Sequence, residues 1–314
     1  MPAMIVVAGE ALIDLLVGPD GHVSATPGGG PLNTARTIGR LGGQVAFLGC
    51  LSSDRFGTVL RDALAADGVD LSLVETTDEP TTLAVADLDE GGGATYRFHA
   101  EETSAPRLTA AAVRAALAAR PAALHLGTLG LVLEPMATAI AGALPVTPID
   151  TLVMLDPNCR PVVIPDRAAY LERLGWVTAR ADVVKASVDD LAYLAPVLAP
   201  VVAARALLER GPSLVLVTDG ERPVLVVMPD RVIEIPVPAV AIVDVVGAGD
   251  AFGGGFLARW VELGLARAAL ADPGLVANAV RLAVDVATAT CRRAGADPPR
   301  RTELGWPPRP SASR

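Results

Sequence analysis

Short runs of Val and Leu recur along the chain at 4–8, 45–49, 123–127, 152–155, 182–185, 214–218 and 224–228. Continuous apolar runs of this length suit strands buried on both faces. Between several of them lie Ala/Leu/Arg segments at helical spacing: 31–42, 54–67, 109–120, 134–144, 167–174, 188–195 and 199–210. This alternation leaves few solutions, and the expected fold is α/β: a doubly wound, mostly parallel sheet flanked by helices. A chain of 314 residues can bury such a core as one large domain with at most a small appendage.

Two stretches break the rhythm. Residues 11–27 and 80–100 lack helical periodicity, and 81–88 alternates before Gly91-Gly92-Gly93 turns into Ala94-Thr95-Tyr96-Arg97-Phe98. They read as antiparallel strand material outside the main sheet, a small β lid. The expected division is a core of 1–10, 28–79 and 101–307, a lid of 11–27 and 80–100, and a frayed tail at 308–314.

Composition excludes several classes of function. No window of about 18 residues escapes Arg, Asp, Glu or Pro, so no membrane span is expected. The chain runs from Met1 straight into Met4–Ala8 without a basic leader, which points to a cytoplasmic protein. Cys50, Cys159 and Cys291 are odd in number and far apart, as reduced thiols would be. His22, His99 and His125 form no metal-binding pair, and His99 and His125 read as packing residues. The net charge is −9 and the basic residues are scattered, so nucleic acid is not an expected partner. One residue stands apart from the 25 arginines: Lys185 is the sole lysine. At a strand end it reads first as a solvated charge.

The chemistry concentrates in Asp244-Val245-Val246-Gly247-Ala248-Gly249-Asp250-Ala251-Phe252. Gly247 and Gly249 let backbone amides converge on one point, and a helix starting there adds its own first-turn amides and positive dipole end. Asp250 puts an acid beside that anion hole, which suggests proton removal during phosphoryl transfer. Taken alone, Gly-Ala-Gly is equally a tight turn before a helix capped by Asp244 or Asp250. A dinucleotide fingerprint would need Gly where Phe252 stands, and a P-loop would need Gly before the lysine where Val184 stands. The protein-kinase lysine strand is missing too.

Four more spots belong with this motif. Gly9-Glu10-Ala11-Leu12-Ile13-Asp14 is expected to put the Asp14 carboxylate just past the first strand, where open α/β sheets bind ligands. Gly28-Gly29-Gly30-Pro31-Leu32-Asn33 opens the first long helix, and Asn33 with Asp14 could hold adjacent hydroxyls of a polyol. Asp156-Pro157-Asn158-Cys159-Arg160 follows a strand with an acid, an amide and a guanidinium, although Arg160 is as readily a structural partner of Asp156. Thr218-Asp219-Gly220 ends another strand.

Together these segments resemble the PfkB, or ribokinase-like, family of carbohydrate kinases, over nearly the whole chain. One family signature resembles Gly28–Ala35 continuing to Leu41-Gly42-Gly43 and Asp54-Arg55-Phe56-Gly57; the other is similar to 244–252. His125-Leu126-Gly127-Thr128-Leu129, Asp156–Pro161 and Lys185-Ala186-Ser187 look most like the fructokinase branch. The resemblance implies an ATP-dependent kinase acting on a primary hydroxyl of a free sugar, fructose or a similar ketose, with 2-keto-3-deoxygluconate or a nucleoside as the alternative acceptor and a non-catalytic sugar-binding regulator as the alternative class. It implies Asp250 as base with the Gly247, Ala248 and Gly249 amides around the phosphoryl group. Asp14, Gly29, Gly30, Asn33 and Arg160 would bind the sugar, and Lys185, Thr218, Gly220 and Asn278 would serve ATP. Mg²⁺ is the implied cofactor, with Asp190 reaching it through water, and Asp244 would help to hold K⁺. The lid is a candidate homodimer contact. Val245 and Val246 replace hydroxyl residues common in the family, and Ser187-Val188-Asp189-Asp190 stands where an Asn-x-x-Glu motif is usual.

Overall fold

The computed structural model describes residues 3–89 and 94–306; the Gly91–Gly93 turn and the tail at 308–314 lie outside them. In chain order the strands are β1 (Ile5–Ala8), β2 (Leu12–Val17), β3 (Val23–Gly28), β4 (Val45–Ser52), β5 (Val74–Thr77), β6 (Leu83–Leu88), β7 (Ala94–His99), β8 (Ala123–Gly127), β9 (Leu152–Asp156), β10 (Val183–Ser187), β11 (Leu214–Thr218), β12 (Val224–Val227) and β13 (Val232–Ile235). Nine of them form the main sheet in the order β13-β12-β11-β10-β9-β8-β1-β4-β5.

Every residue of β1, β4, β8 and β9 is buried, as expected for strands covered on both faces. Side chains alternate between two cores. Ile5 and Val7 face the helices Gly30–Arg40, Arg55–Ala66, Ala248–Glu262 and Pro273–Thr290. Val6 and Ala8 face Ala110–Ala118, Met136–Ala143, Arg167–Arg180 and Pro200–Leu208. The pairs from β5 to β11 are parallel, while β12 and β13 add an antiparallel edge. The run at 224–228 is thus a strand but reverses direction. Two short strands, β5 and β13, and the helix Pro273–Thr290 are additions that the sequence patterning missed.

Strands β3-β2-β6-β7 form a separate four-stranded sheet. It is mixed rather than purely antiparallel, because β2 and β6 run parallel while their outer partners are antiparallel. The two strands come from distant parts of the chain, so no hairpin dictates their relative direction.

Crossovers leave β1 toward β4 on one side and β8 on the other, making β1 the switch point of the main sheet. In open α/β sheets ligands bind in the crevice at the carboxyl ends of the strands beside such a switch point. The helix Arg55–Ala66 supports its rim: Asp54 caps Gly57 N at 2.7 Å and holds Thr81 through both its amide and its hydroxyl. The segment after Asp297 packs back on the core through Asp297 with Arg40 and Arg301 with Glu262. Among the described residues no helix is long and apolar enough to cross a membrane.

Candidate active site

The crevice is organised around the start of the helix Ala248–Glu262. Gly247, at φ 75°, adopts the left-handed conformation as its N-cap, which brings the chain round sharply enough for a helix to begin at Ala248. Asp250 lies in the first turn, close to the positive end of the helix dipole. Its Oδ2 accepts a hydrogen bond from Asn33 Nδ2 at 3.0 Å, across 217 residues of sequence, and Thr34 Oγ1 donates to its carbonyl at 3.4 Å. Asn33 is buried, and its Oδ1 has no protein partner.

Gly30 marks the centre of the cleft. A Cβ placed there would lie 2.7 Å from Thr128 Oγ1, 3.2 Å from Asp250 Oδ1 and 3.4 Å from Asn158 Nδ2. Three segments therefore converge on one glycine. Thr128 and Asn158 follow β8 and β9 and both have positive φ, 51° and 39°. For a β-branched threonine that conformation is strained, and such strain gathers where a side chain must be aimed at a ligand. Asn158 is the amide that the sequence placed after β9 without giving it a role, whereas Thr128 was not among the candidates, although both lie inside segments that carried the family resemblance. Gly29 packs against the Glu10 carbonyl.

The carboxylate just past β1 is Glu10, and not Asp14. Glu10 is fully buried, Oε2 accepts from Gly130 N at 3.0 Å, and Oε1 has no partner. Burial, with Asp250 adding to it, pushes the Glu10 acid up to about 8, so it is protonated at neutral pH. Asp14 belongs to β2 of the second sheet, because the chain turns at Gly9 and Ala11 and starts a new strand at Leu12. It still faces the crevice. A Cβ at Gly28 would lie only 1.9 Å from Asp14 Oδ2, so the absence of a side chain at Gly28 makes room for the carboxylate. Burial and then Asp250 raise Asp14 to about 6, while Arg160 pulls the other way. Arg160 is exposed, and its guanidinium reaches the carbonyls of Asn158 and Cys159.

Asp250 itself is raised above the usual carboxylate range by burial, offset by the Asn33 hydrogen bond, Lys185 and Arg160. A carboxylate poised upward in this way is a better proton acceptor than an ordinary aspartate. Ala248 N donates to Val245 O at 3.2 Å, a long bond with which an arriving phosphoryl oxygen would compete.

Several candidates sit elsewhere than the sequence suggests. Lys185 is not solvated: it is 4% exposed and donates to Asp156 Oδ2 at 2.9 Å. Pairing of β10 with β9 sets the two side by side, and the ion pair offsets the cost of burying each charge. Asp190 is a helix cap. Its Oδ1 accepts from Cys159 N, and its Oδ2 from Ser187 N and Oγ, all at 2.7 Å, in a capping box. Asp244 accepts from Val246 N at 3.0 Å and Gly295 N at 2.8 Å, pinning the loop before the anion hole to the end of the Pro273–Thr290 helix. Thr218 ends β11 half-buried beside Ser187, and Gly220 turns in the left-handed region just beyond. Asn278 is exposed and accepts from Arg259 Nε at 3.0 Å. Arg259 is nine positions beyond Asp250, roughly 13 Å along the helix, so Asn278 lies outside the central cluster. His125 is buried with neither ring nitrogen bonded, and burial, with Lys185 nearby, lowers it to about 3, a neutral packing residue.

Among the described residues no three His, Cys, Asp or Glu side chains gather as a metal cage. Just before Gly247, Ile242, Val243, Val245 and Val246 are exposed apolar side chains.

Comparison with known proteins matches the fold. The model of the pfkB family carbohydrate kinases matches residues 2–303. A fructokinase of Rhizobium leguminosarum bv. trifolii is 35% identical over 260 residues, covering 81% of this chain and 79% of that protein. The crystal structure of a fructokinase with bound ATP from Xylella fastidiosa superimposes with a TM-score of 0.89 at 30% identity, covering 97% of this chain and 98% of that one. A double-mutant fructokinase from Vibrio cholerae O395, in fructose-, ADP- and potassium-bound form, shares the fold at TM-score 0.81 and 24% identity, over 94% of each chain. The ribokinase-like fold is the one these structures share.

Proposed function

The chain belongs to the pfkB family of carbohydrate kinases and is an ATP-dependent sugar kinase; we propose that its acceptor is a primary hydroxyl of free fructose. The observation that carries the chemistry is the Asn33–Asp250 hydrogen bond at the start of the Ala248–Glu262 helix, which holds a proton acceptor beside converging backbone amides. Fructose is favoured over other acceptors by the likeness to the Rhizobium fructokinase.

In this reading the sugar hydroxyl gives its proton to Asp250 as its oxygen bonds to the γ-phosphorus, and the bond to the ADP oxygen breaks. Charge on the transferred group meets the amides of Gly247, Ala248 and Gly249. Asp14, Asn33, Arg160 and the backbone at Gly29 and Gly30 grip the sugar, with Thr128 and Asn158 completing the wall. Thr218 and Gly220 line the nucleotide's course, the apolar side chains of Ile242, Val243, Val245 and Val246 offer a face for a purine ring, and Asn278, held by Arg259, takes no part. Among the described residues no side-chain cage offers itself for Mg²⁺, and Asp190 does not fit that role because its oxygens already accept from Cys159 and Ser187. Magnesium would be held chiefly by the ATP phosphates and water, neutralising their charge. Both Asp244 oxygens also accept backbone amides, so a potassium ion there would be reached only through their remaining lone pairs.

ADP release measured over a panel of ketoses, 2-keto-3-deoxygluconate and nucleosides, with and without Mg²⁺ and K⁺, tests the acceptor. Turnover with fructose, dependent on Mg²⁺ and enhanced by K⁺, is expected. Turnover with a nucleoside instead would move the acceptor, and binding without turnover would make the protein a regulator.

The second sheet is proposed as a lid that closes over the sugar, excluding water from the transfer. Fructose should then slow amide exchange in β2, β3 and β6 while β8 to β11 change little. Protection confined to 244–252 and 218–220 would make the second sheet a fixed part of the fold. Val23 and Tyr96, exposed on its edge strands, support its use as a homodimer contact, which mass measurement by sedimentation in solution would detect. Cytoplasmic location is part of the same proposal.

A further inference from the structure

The sole lysine of a chain with 25 arginines is among its most buried charged groups. Its Nζ sits beneath the first turn of the Ala248–Glu262 helix: a Cβ at Gly249 would lie 2.8 Å from it. An ammonium fits that space, whereas the planar fork of an arginine needs more room. On its other side Nζ donates to Asp156 Oδ2, leaving Asp156 Oδ1 without a partner. The charged groups coupled to Asp250 come from four places: Glu10 after β1, Asp14 in β2, Asp156 at the end of β9 with Arg160 beyond it, and Lys185 in β10. Glu10 is protonated, Arg160 is exposed and its field is screened by water, and Asp14 and Asp156 are negative. Lys185 is thus the unscreened positive charge among them.

We propose that Lys185, fixed by Asp156 beneath Gly249, is a positioning residue that sets the field in which Asp250 accepts its proton, without touching sugar or nucleotide. This rests on Asp250 being the base of a sugar kinase. Burial works to lower the Lys185 pKa, but Asp156, Asp190 and Asp250 outweigh it, so the ammonium stays charged throughout the working range. Asp156 is raised to about 6 by burial against the pull of Lys185, which leaves the pair ionised at neutral pH.

The two members of the pair must then act on Asp250 in opposite directions. Lys185→Met removes the positive charge and should move the acidic limb of kcat/KM for the phosphorylated sugar upward by about one pH unit. Asp156→Asn keeps the lysine, removes the opposing carboxylate and should move that limb downward. The titration of the Asp250 carboxyl carbon, followed by ¹³C NMR in both variants, should shift in the same two directions whether or not the protein turns over. A merely structural pair would lower stability or kcat in both variants and leave limb and titration in place, and that result, or shifts of the same sign, overturns the proposal. If Lys185→Met does not fold, the downward shift in Asp156→Asn decides alone. Absence of ADP release by the wild-type protein with every acceptor would refute the kinase reading, while the NMR titration would still judge the coupling.

Discussion

Asp250→Asn is expected to lower kcat by about 100-fold to 10,000-fold, the range for losing a general base, while leaving the protein folded. The amide is nearly isosteric and its oxygen can still accept from Asn33 Nδ2, so the 3.0 Å link between the two helices persists. Burial raises the Asp250 pKa, so the fold disfavours its charged form. A neutral amide in that position should therefore leave Tm unchanged or slightly higher. Fructose binding measured by calorimetry should fall much less than turnover, because on the proposed reading Asp14 and Asn33 would hold the sugar as well. A variant that keeps more than half of wild-type kcat would show that the proton goes elsewhere.

The second large effect concerns the sugar grip. Asp14→Ala removes a carboxylate that would accept from sugar hydroxyls, and hydrogen bonds to charged groups contribute about 1.5–3 kcal/mol. That corresponds to a rise in fructose KM of roughly 10-fold to 100-fold, with the ATP KM nearly unchanged. Gly28→Ala should reproduce much of this phenotype with Asp14 still present, since the new Cβ would occupy the space of Asp14 Oδ2 and push the carboxylate aside. A pH signature follows. Asp14 is raised to about 6, so its ionised, hydrogen-bond-accepting form is complete above that pH and is lost below it. Fructose KM should climb as pH falls from 7.5 toward 5 in the wild type and stay flat over that limb in Asp14→Ala. Loss of ATP affinity without change in fructose KM would place Asp14 on the wrong side of the crevice.

The strands of the main sheet were legible because their signal is local: a run such as Val183–Val184 or Leu214–Val217 is apolar at every position, and only burial on both faces stabilises that pattern. The motif at 244–252 was legible for the same reason, since Gly247 and the acid of the first turn are adjacent in the chain. Direction, partnership and depth were not. The parallel pairing of β2 with β6, the approach of Asn33 to Asp250 and the convergence of Thr128 and Asn158 on Gly30 join segments whose separation in sequence carries no record of their contact. Glu10 and Asp14 differ by four positions, yet the turn between two sheets makes one a buried, protonated acid and the other a carboxylate in the crevice. Lys185 shows the limit most clearly. Its neighbours in sequence suggest a solvated strand end, but the register of β10 against β9 puts Asp156 beside it, and the helix start above closes off the water. Sequence determined the strands buried on both faces and the glycine turn that opens the Ala248–Glu262 helix; tertiary structure decided which charges are buried together, because burial and pairing energies depend on neighbours that only the completed fold supplies.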